Sequence, residues 1–333
     1  MRYLNFKETR LFLAALLLLG QPGLAHAWHA PPSLEAILGQ NYRSIHLLRG
    51  SQNHLLVLAH LNGVFALLGV DTGAPVTAIN AGSQRLFKVE SVPANRLGIP
   101  PSIQIGGEPI GIGIVKDFEA GGMKLGLRPV ALVNLSRINE AKLYLNGRQK
   151  PMDGLIGADL LLDRGGVLDC RTQELFIRTG KDALNYLADK LPNEGFSRIP
   201  MEFDQGHFTV PCTIEGRPYR LVVDTGAFIT LIDRGLMFRQ GITGVRTRLT
   251  GETINGRRCP VFDARLKEFI IGNIRLPPLD VGVTDLSEAW TRRADARPPI
   301  AGLLGGEILA AASAIIDLEN LSLYLFHGET KRR

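Results

Sequence analysis

Several common chemistries have no foothold in this sequence. There is no GxSxG, no HExxH and no GxxxxGKS/T, and the Gly-rich stretch Gly106 to Gly113 lacks the full GxGxxG spacing of a dinucleotide loop. Serine-elbow hydrolysis, zincin-type proteolysis and phosphate-loop chemistry therefore find no motif. The seven histidines are scattered and no cysteine sits beside one, so neither a metal site nor a thiol nucleophile is indicated, and no cofactor is expected. Cysteine itself is scarce: Cys170, Cys212 and Cys259 are an odd number, which permits at most one disulfide. Two readings stand, a Cys212 to Cys259 pair or buried free thiols. Charge is sparse too, at 21% of residues, and the formal net charge of +6 is too diffuse to imply a nucleic-acid partner. The C-terminal Lys331-Arg332-Arg333 reads as a solvated tail.

Long apolar runs are also missing. Leu11 to Leu19 falls short of the roughly 20 residues that a membrane span requires. With Arg2, Lys7 and Arg10 before it and the small-x-small pattern Ala25-His26-Ala27 after it, it reads as an export signal over residues 1–27, cleaved after Ala27. No membrane span is expected after cleavage, and the destination is the periplasm or the exterior. No cysteine follows the run to accept a lipid.

What the chain has in quantity is glycine and proline, 37 and 19, with 45% hydrophobic residues in 333. That balance suits a turn-rich all-β protein long enough for two cores.

The chain also repeats itself. LLGVDTGAPVTAI (Leu67 to Ile79) and RLVVDTGAFITLI (Arg220 to Ile232) present Asp71-Thr72-Gly73-Ala74 and Asp224-Thr225-Gly226-Ala227 in the same apolar frame. A shift of 153 residues aligns them and, upstream, His54 with His207, Val57 with Val210 and Gly63 with Gly216. Each segment predicts an apolar strand, a turn at Asn62-Gly63 or Glu215-Gly216, and a second strand ending at the aspartate. Gly121 to Ser136 pairs with Ile271 to Ser287, and GLIGADLL (Gly154 to Leu161) with GLLGGEIL (Gly302 to Leu309). After the latter come Val167 to Ile177 and Ile315 to Leu325, each a strand, an aspartate and a strand. Four blocks in one order indicate an internal duplication with domain-sized copies. The expected organisation is a lobe over 28–180, a linker over 181–195 with a short helix in Lys181 to Lys190, and a lobe over 196–333. Asp169 and Asp317 are expected in hairpin turns, and His54 and His207 as strand or turn residues left by the duplication.

An aspartate at the end of a buried strand, followed by Thr and Gly, sits where the chain turns sharply. Backbone N–H groups and the Thr hydroxyl can hold its carboxylate in one orientation. Two such loops meeting face to face bring two carboxylates too close for both to ionise, so the pair keeps one proton. One member can then act as general base on a water while the other polarises a carbonyl.

DTGAxxT, followed much later by an apolar-apolar-Gly segment such as Leu155-Ile156-Gly157 or Leu303-Leu304-Gly305, resembles the retropepsin-like aspartic proteases. Ala74 and Ala227 resemble the retroviral enzymes, whereas two DTG lobes in one chain resemble the pepsin arrangement. The resemblance covers nearly the whole exported chain, and it implies two homologous lobes related by a pseudo-twofold axis. It implies Asp71 and Asp224 as the catalytic dyad, Thr72, Gly73, Ala74, Thr225, Gly226 and Ala227 as its scaffold, and Ile156, Gly157, Leu304 and Gly305 as the wall behind it. A flap is expected around Ile105, Gly106 and Gly107, with a weaker counterpart in Leu249 to Gly256. Where retroviral enzymes carry Arg after the late glycine, this chain has Ala158-Asp159 and Gly306-Glu307, acids expected in the first turn of short helices. Ser136 to Asp153 and Ser287 to Ala301 read as insertions, either cleft walls or surface loops.

The implied partner is an extended peptide or unfolded protein, bound as an added strand by a monomer that contains both lobes. Alanine in place of a hydroxyl residue at position four removes a hydrogen bond to the ionised carboxylate and implies a mildly acidic optimum. The alternatives are a non-catalytic periplasmic module that binds peptides or proteins, and a dimer pairing its loops between chains.

Overall fold

The computed structural model describes residues 33–50, 54–93, 104–105, 108–109, 111–135, 142–145, 148–180, 185–204, 206–252, 258–286 and 297–327. The expected export signal over 1–27 lies outside them.

Period-two apolar patterning sets the framework. In Leu55–Leu61 the outward residues are Leu58 and His60, and the rest are buried. This strand pairs antiparallel with Val64–Val70, with Leu61 opposite Val64, leaving the two-residue turn Asn62-Gly63. Both turn residues have positive φ (51° and 79°), the conformation whose twist matches that of the flanking strands. The second half builds the same hairpin from His207–Ile214 and Arg217–Val223, turning at Glu215 and Gly216 with φ of 47° and 77°. In both cases the second strand delivers the chain to an Asp-Thr-Gly-Ala loop.

A short strand then inserts between that hairpin and the segment after the loop. Gly154–Ile156 runs parallel to Val64–Val70 and antiparallel to Ala78–Asn80. Ile300–Leu304 runs parallel to Arg217–Val223 and antiparallel to Leu231–Asp233. The first lobe is an 8-stranded sheet in which Leu55–Leu61 also pairs with Gly111–Ala120, curling the sheet on itself. The second is a 10-stranded sheet. The fold is all-β and two-lobed.

A third sheet joins the lobes. Its six strands run in the order Tyr42–His46, Glu174–Arg178, Val167–Asp169, Ile315–Asp317, Ser322–Phe326 and Phe196–Pro200, three from each half. Leu168 pairs with Ile316 at the junction, and both are fully buried. One continuous apolar core runs through both lobes, and a second cluster that includes Tyr42, Phe176, Phe196 and Tyr324 packs against the joining sheet.

Asp169 and Asp317 stand at the expected hairpin turns. Asp169 accepts from the N–H groups of Arg171 and Thr172, and Asp317 from that of Asn320. The helix expected within Lys181 to Lys190 is shorter: the α-turn covers Leu187–Lys190 and a 3-10 turn continues over Leu191–Glu194, because Pro192 follows and Leu187 and Leu191 are both buried. Residues 181–184 lie outside the described set. Of the expected insertions, the first contains the hairpin Lys142–Leu145 with Arg148–Pro151, and 287–296 of the second fall outside the described residues. All three cysteines are buried free thiols. Burial pushes the Cys170 and Cys212 thiols up to about 12.

The junction predicts a stability effect. Leu168→Ala or Ile316→Ala should each cost about 2–5 kcal/mol, through lost burial and the cavity left behind. The pair should be non-additive, because the two side chains share one site. Urea unfolding of the two single variants and the double variant measures this.

Candidate active site

The two Asp-Thr-Gly-Ala loops meet through their threonines. Thr72 Oγ1 donates to the Val223 carbonyl (2.7 Å) and accepts from the Thr225 N–H (3.1 Å). Thr225 Oγ1 donates to the Val70 carbonyl (2.8 Å) and accepts from the Thr72 N–H (3.1 Å). Thr72 and Thr225 are 0% and 3% exposed, so these four bonds are made away from water.

Within each loop the carboxylate folds back on its own backbone. Asp71 Oδ1 accepts from Gly73 N–H (2.9 Å) and Ala74 N–H (3.1 Å), and Asp224 Oδ1 from Gly226 N–H (2.9 Å) and Ala227 N–H (3.0 Å). One oxygen of each acid is thereby fixed, and the two carboxyls act on one another. The glycines allow the approach. A Cβ at Gly226 would lie 2.5 Å from Asp71 Cγ, and one at Gly73 would collide with the Asp224 carboxyl. Both aspartates keep partial exposure while their threonines are buried, so the acids form a floor that opens to solvent.

Backbone bonds tie each loop to the short strand beside it. The Asp71 N–H donates to the Ile156 carbonyl and the Asp224 N–H to the Leu304 carbonyl, each at 3.0 Å. Gly157 N–H donates to Thr77 Oγ1 (3.1 Å) and Gly305 N–H to Thr230 Oγ1 (3.0 Å). Helices Ala158–Asp163 and Gly306–Ala311 start at once, with Asp159 and Glu307 in their first turns. Sequence reasoning placed these acids but not their partners. Asp159 Oδ1 accepts from Thr77 N–H (2.8 Å) and Thr77 Oγ1 (2.7 Å), and Glu307 Oε1 from Thr230 N–H (2.5 Å). The last threonine of DTGAxxT therefore ties the loop to its wall.

Two expectations stand differently. Gly106 and Gly107 lie outside the described residues, and Ile105 is described only as part of the two-residue strand Gln104–Ile105. In the second half, Leu249 to Glu252 belong to the strand Val245–Glu252, and 253–257 are outside the described residues. His207 is more than a remnant of the repeat. It opens the strand His207–Ile214, but its ring Nδ1 lies 2.9 Å from the Gly73 carbonyl oxygen of the opposite lobe.

Burial raises both acids above the ordinary carboxylate range. For Asp71 the loop N–H groups and the Asp224 hydrogen bond pull back against that rise. Asp224 is raised further still, because the negative charge of Asp71 adds to its burial. Two buried carboxyls this close favour a state with one proton between them. Among the described residues no cluster of three or more His, Cys, Asp or Glu could hold a metal ion.

Residues 210–308 match the family model described as aspartyl protease, a span that contains Asp224, Leu304 and Gly305. Similar solved structures include a retropepsin-like aspartic protease from Rickettsia conorii, at 21% identity and a TM-score of 0.30, covering 39% of this chain and 98% of that one. Conglutin gamma, a basic 7S globulin from lupine seeds, is 10% identical with a TM-score of 0.42, covering 86% of this chain and 95% of that one. No curated protein matches the sequence.

The raised acids have a stability consequence. A carboxyl whose folded pKa lies above its unfolded value stabilises the fold at low pH, and that contribution is lost as pH rises through the folded pKa. Asp224→Asn removes the ionisation. Relative to the unaltered chain, the variant should therefore gain stability as pH rises from 4 to 7. Paired denaturant melts at the two pH values check the sign.

Proposed function

We propose that this chain is an aspartic endopeptidase that hydrolyses peptide bonds in extended polypeptides at an Asp71/Asp224 dyad. The observation that carries the proposal is the reciprocal threonine exchange, which brings two partly buried carboxyls together. Such a pair suits amide hydrolysis. The ionised member of the pair takes a proton from water, while the protonated member polarises the substrate carbonyl. The oxygen of each acid not engaged by loop N–H groups is the one available for these tasks.

In this reading the substrate lies across the floor as an added strand, with alternate side chains in apolar pockets. No cofactor takes part. Both halves of the site come from one chain, so the enzyme acts as a monomer. Residues 1–27 direct export to the periplasm or beyond, and lobes over 28–180 and 196–333, copies of one ancestral unit, are joined by 181–195. Among the described residues no helix is long and apolar enough to cross a membrane.

The raised dyad supports a mildly acidic optimum. With a denatured protein as substrate, cleavage should peak at mildly acidic pH and be inhibited by pepstatin. Asp71→Asn and Asp224→Asn should each lower it by at least about a hundredfold, a loss in the range for removing a general acid or base, with the fold retained by circular dichroism. Full activity in either variant would sink the dyad assignment. Pepstatin or peptide binding without cleavage at any pH would favour a non-catalytic binding module, and specific activity falling on dilution would favour a dimer.

A further inference from the structure

His207 stands 17 residues before Asp224, as His54 stands 17 before Asp71, but its ring serves the other lobe. A carbonyl oxygen carries no hydrogen, so in the 2.9 Å contact with the Gly73 oxygen it is His207 Nδ1 that donates. In the neutral ring Nε2 is then the acceptor, and it is the atom that takes up a second proton on acidification. The turn delivering the ring is fitted to the opposite loop. Gly206 has φ +84°, and a Cβ there would lie 2.8 Å from Pro75 Cβ, one residue beyond Ala74.

The charged groups facing this ring come from both lobes. Asp71 faces it from the first loop, and Asp204 from its own side. Asp204 is already paired with Arg220 at 3.0 Å and Arg297 at 3.5 Å, and Arg220 and Arg297 also reach Glu202. Asp71 is thus the facing anion without an arginine among its described contacts. His54 also acts on Asp71, in the direction that favours its ionised form.

We propose that His207 is a positioning residue for the dyad: it holds the Asp71 loop through the Gly73 carbonyl from across the lobe interface and, once protonated, fixes Asp71 as the acid that ionises. The geometry gives the ring two states with one hydrogen bond in common. Burial, the largest influence, keeps His207 below its ordinary value, and the Gly73 contact and the negative charges of Asp71 and Asp204 pull the other way. At neutral pH the ring is neutral and only positions the loop. As the solution becomes acidic the imidazolium forms and opposes protonation of Asp71, which extends the one-proton dyad to lower pH. The kinetic consequence rests on the hydrolytic reading, whereas the electrostatic one does not.

The test has two arms on the full chain. The first is NMR titration of the His207 ring in the unaltered protein and in Asp71→Asn. The expected result is a pKa below 6.5 that falls by a further 0.5 pH units or so when the Asp71 charge is removed. A His207 pKa that does not move in Asp71→Asn overturns the proposal. The second is the pH profile of kcat/KM for His207→Gln, which keeps a donor but cannot become charged. Its acid limb should move up by roughly 0.5 pH units. A loss that is uniform at every pH would reduce His207 to a structural contact and overturn its electrostatic role. A wild-type chain that cleaves nothing at any pH overturns the hydrolytic reading alone, and the ring titration then decides the His207 link by itself.

Discussion

Everything at the centre of this molecule depends on four hydrogen bonds exchanged between Thr72 and Thr225. Each hydroxyl donates to the strand before the opposite aspartate and accepts from the opposite threonine N–H, so neither loop is satisfied without the other. In a buried position an unmet backbone group costs about 1–3 kcal/mol, and the exchange leaves these four groups met. Its geometric consequence is to press two carboxyls together that would otherwise repel. Their shared proton follows first from that closeness and from burial, and the neighbouring N–H groups and histidines act on it in turn.

Around the exchange, each loop is bound to its own lobe by a chain of small contacts. The last threonine of the motif holds the wall glycine, and an acid in the first turn of the following helix holds that threonine. The lobes differ here. Asp159 accepts from both the N–H and the hydroxyl of Thr77, whereas Glu307, one methylene longer, leaves Oε2 buried without a partner and is raised by burial. The joining sheet adds a second brace some distance from the acids, pairing the two halves strand to strand through Leu168 and Ile316. Arginine is not needed to bring the loops together, since threonine hydroxyls and backbone do so.

Much of this was legible in the sequence, because it rests on local chemistry that repeats. The doubled Asp-Thr-Gly-Ala, its apolar approach, the turns at Asn62-Gly63 and Glu215-Gly216 and the late apolar-apolar-Gly segments each carry their own signal, and the structure forms the turns and strands at those positions. What escaped were side-chain partners separated by long stretches of chain. Asp159 bonds to Thr77 across 82 residues, and Glu307 to Thr230 across 77. Both acids and both threonines stood out in the motif, but nothing in their spacing says that they touch. His207 escaped for a related reason. Its match with His54 at the repeat offset was visible, but repetition alone does not reveal that the ring crosses to the other lobe and meets the Gly73 carbonyl.

The central claim is that two loops, locked by their threonines, hold one proton between Asp71 and Asp224. Carbon-13 titration of the two carboxyl groups in the full chain tests it most directly. The account predicts that the groups titrate as a linked pair, with one proton retained well above the ordinary value of 3.8. Two independent titrations, both near 3.8, would contradict it.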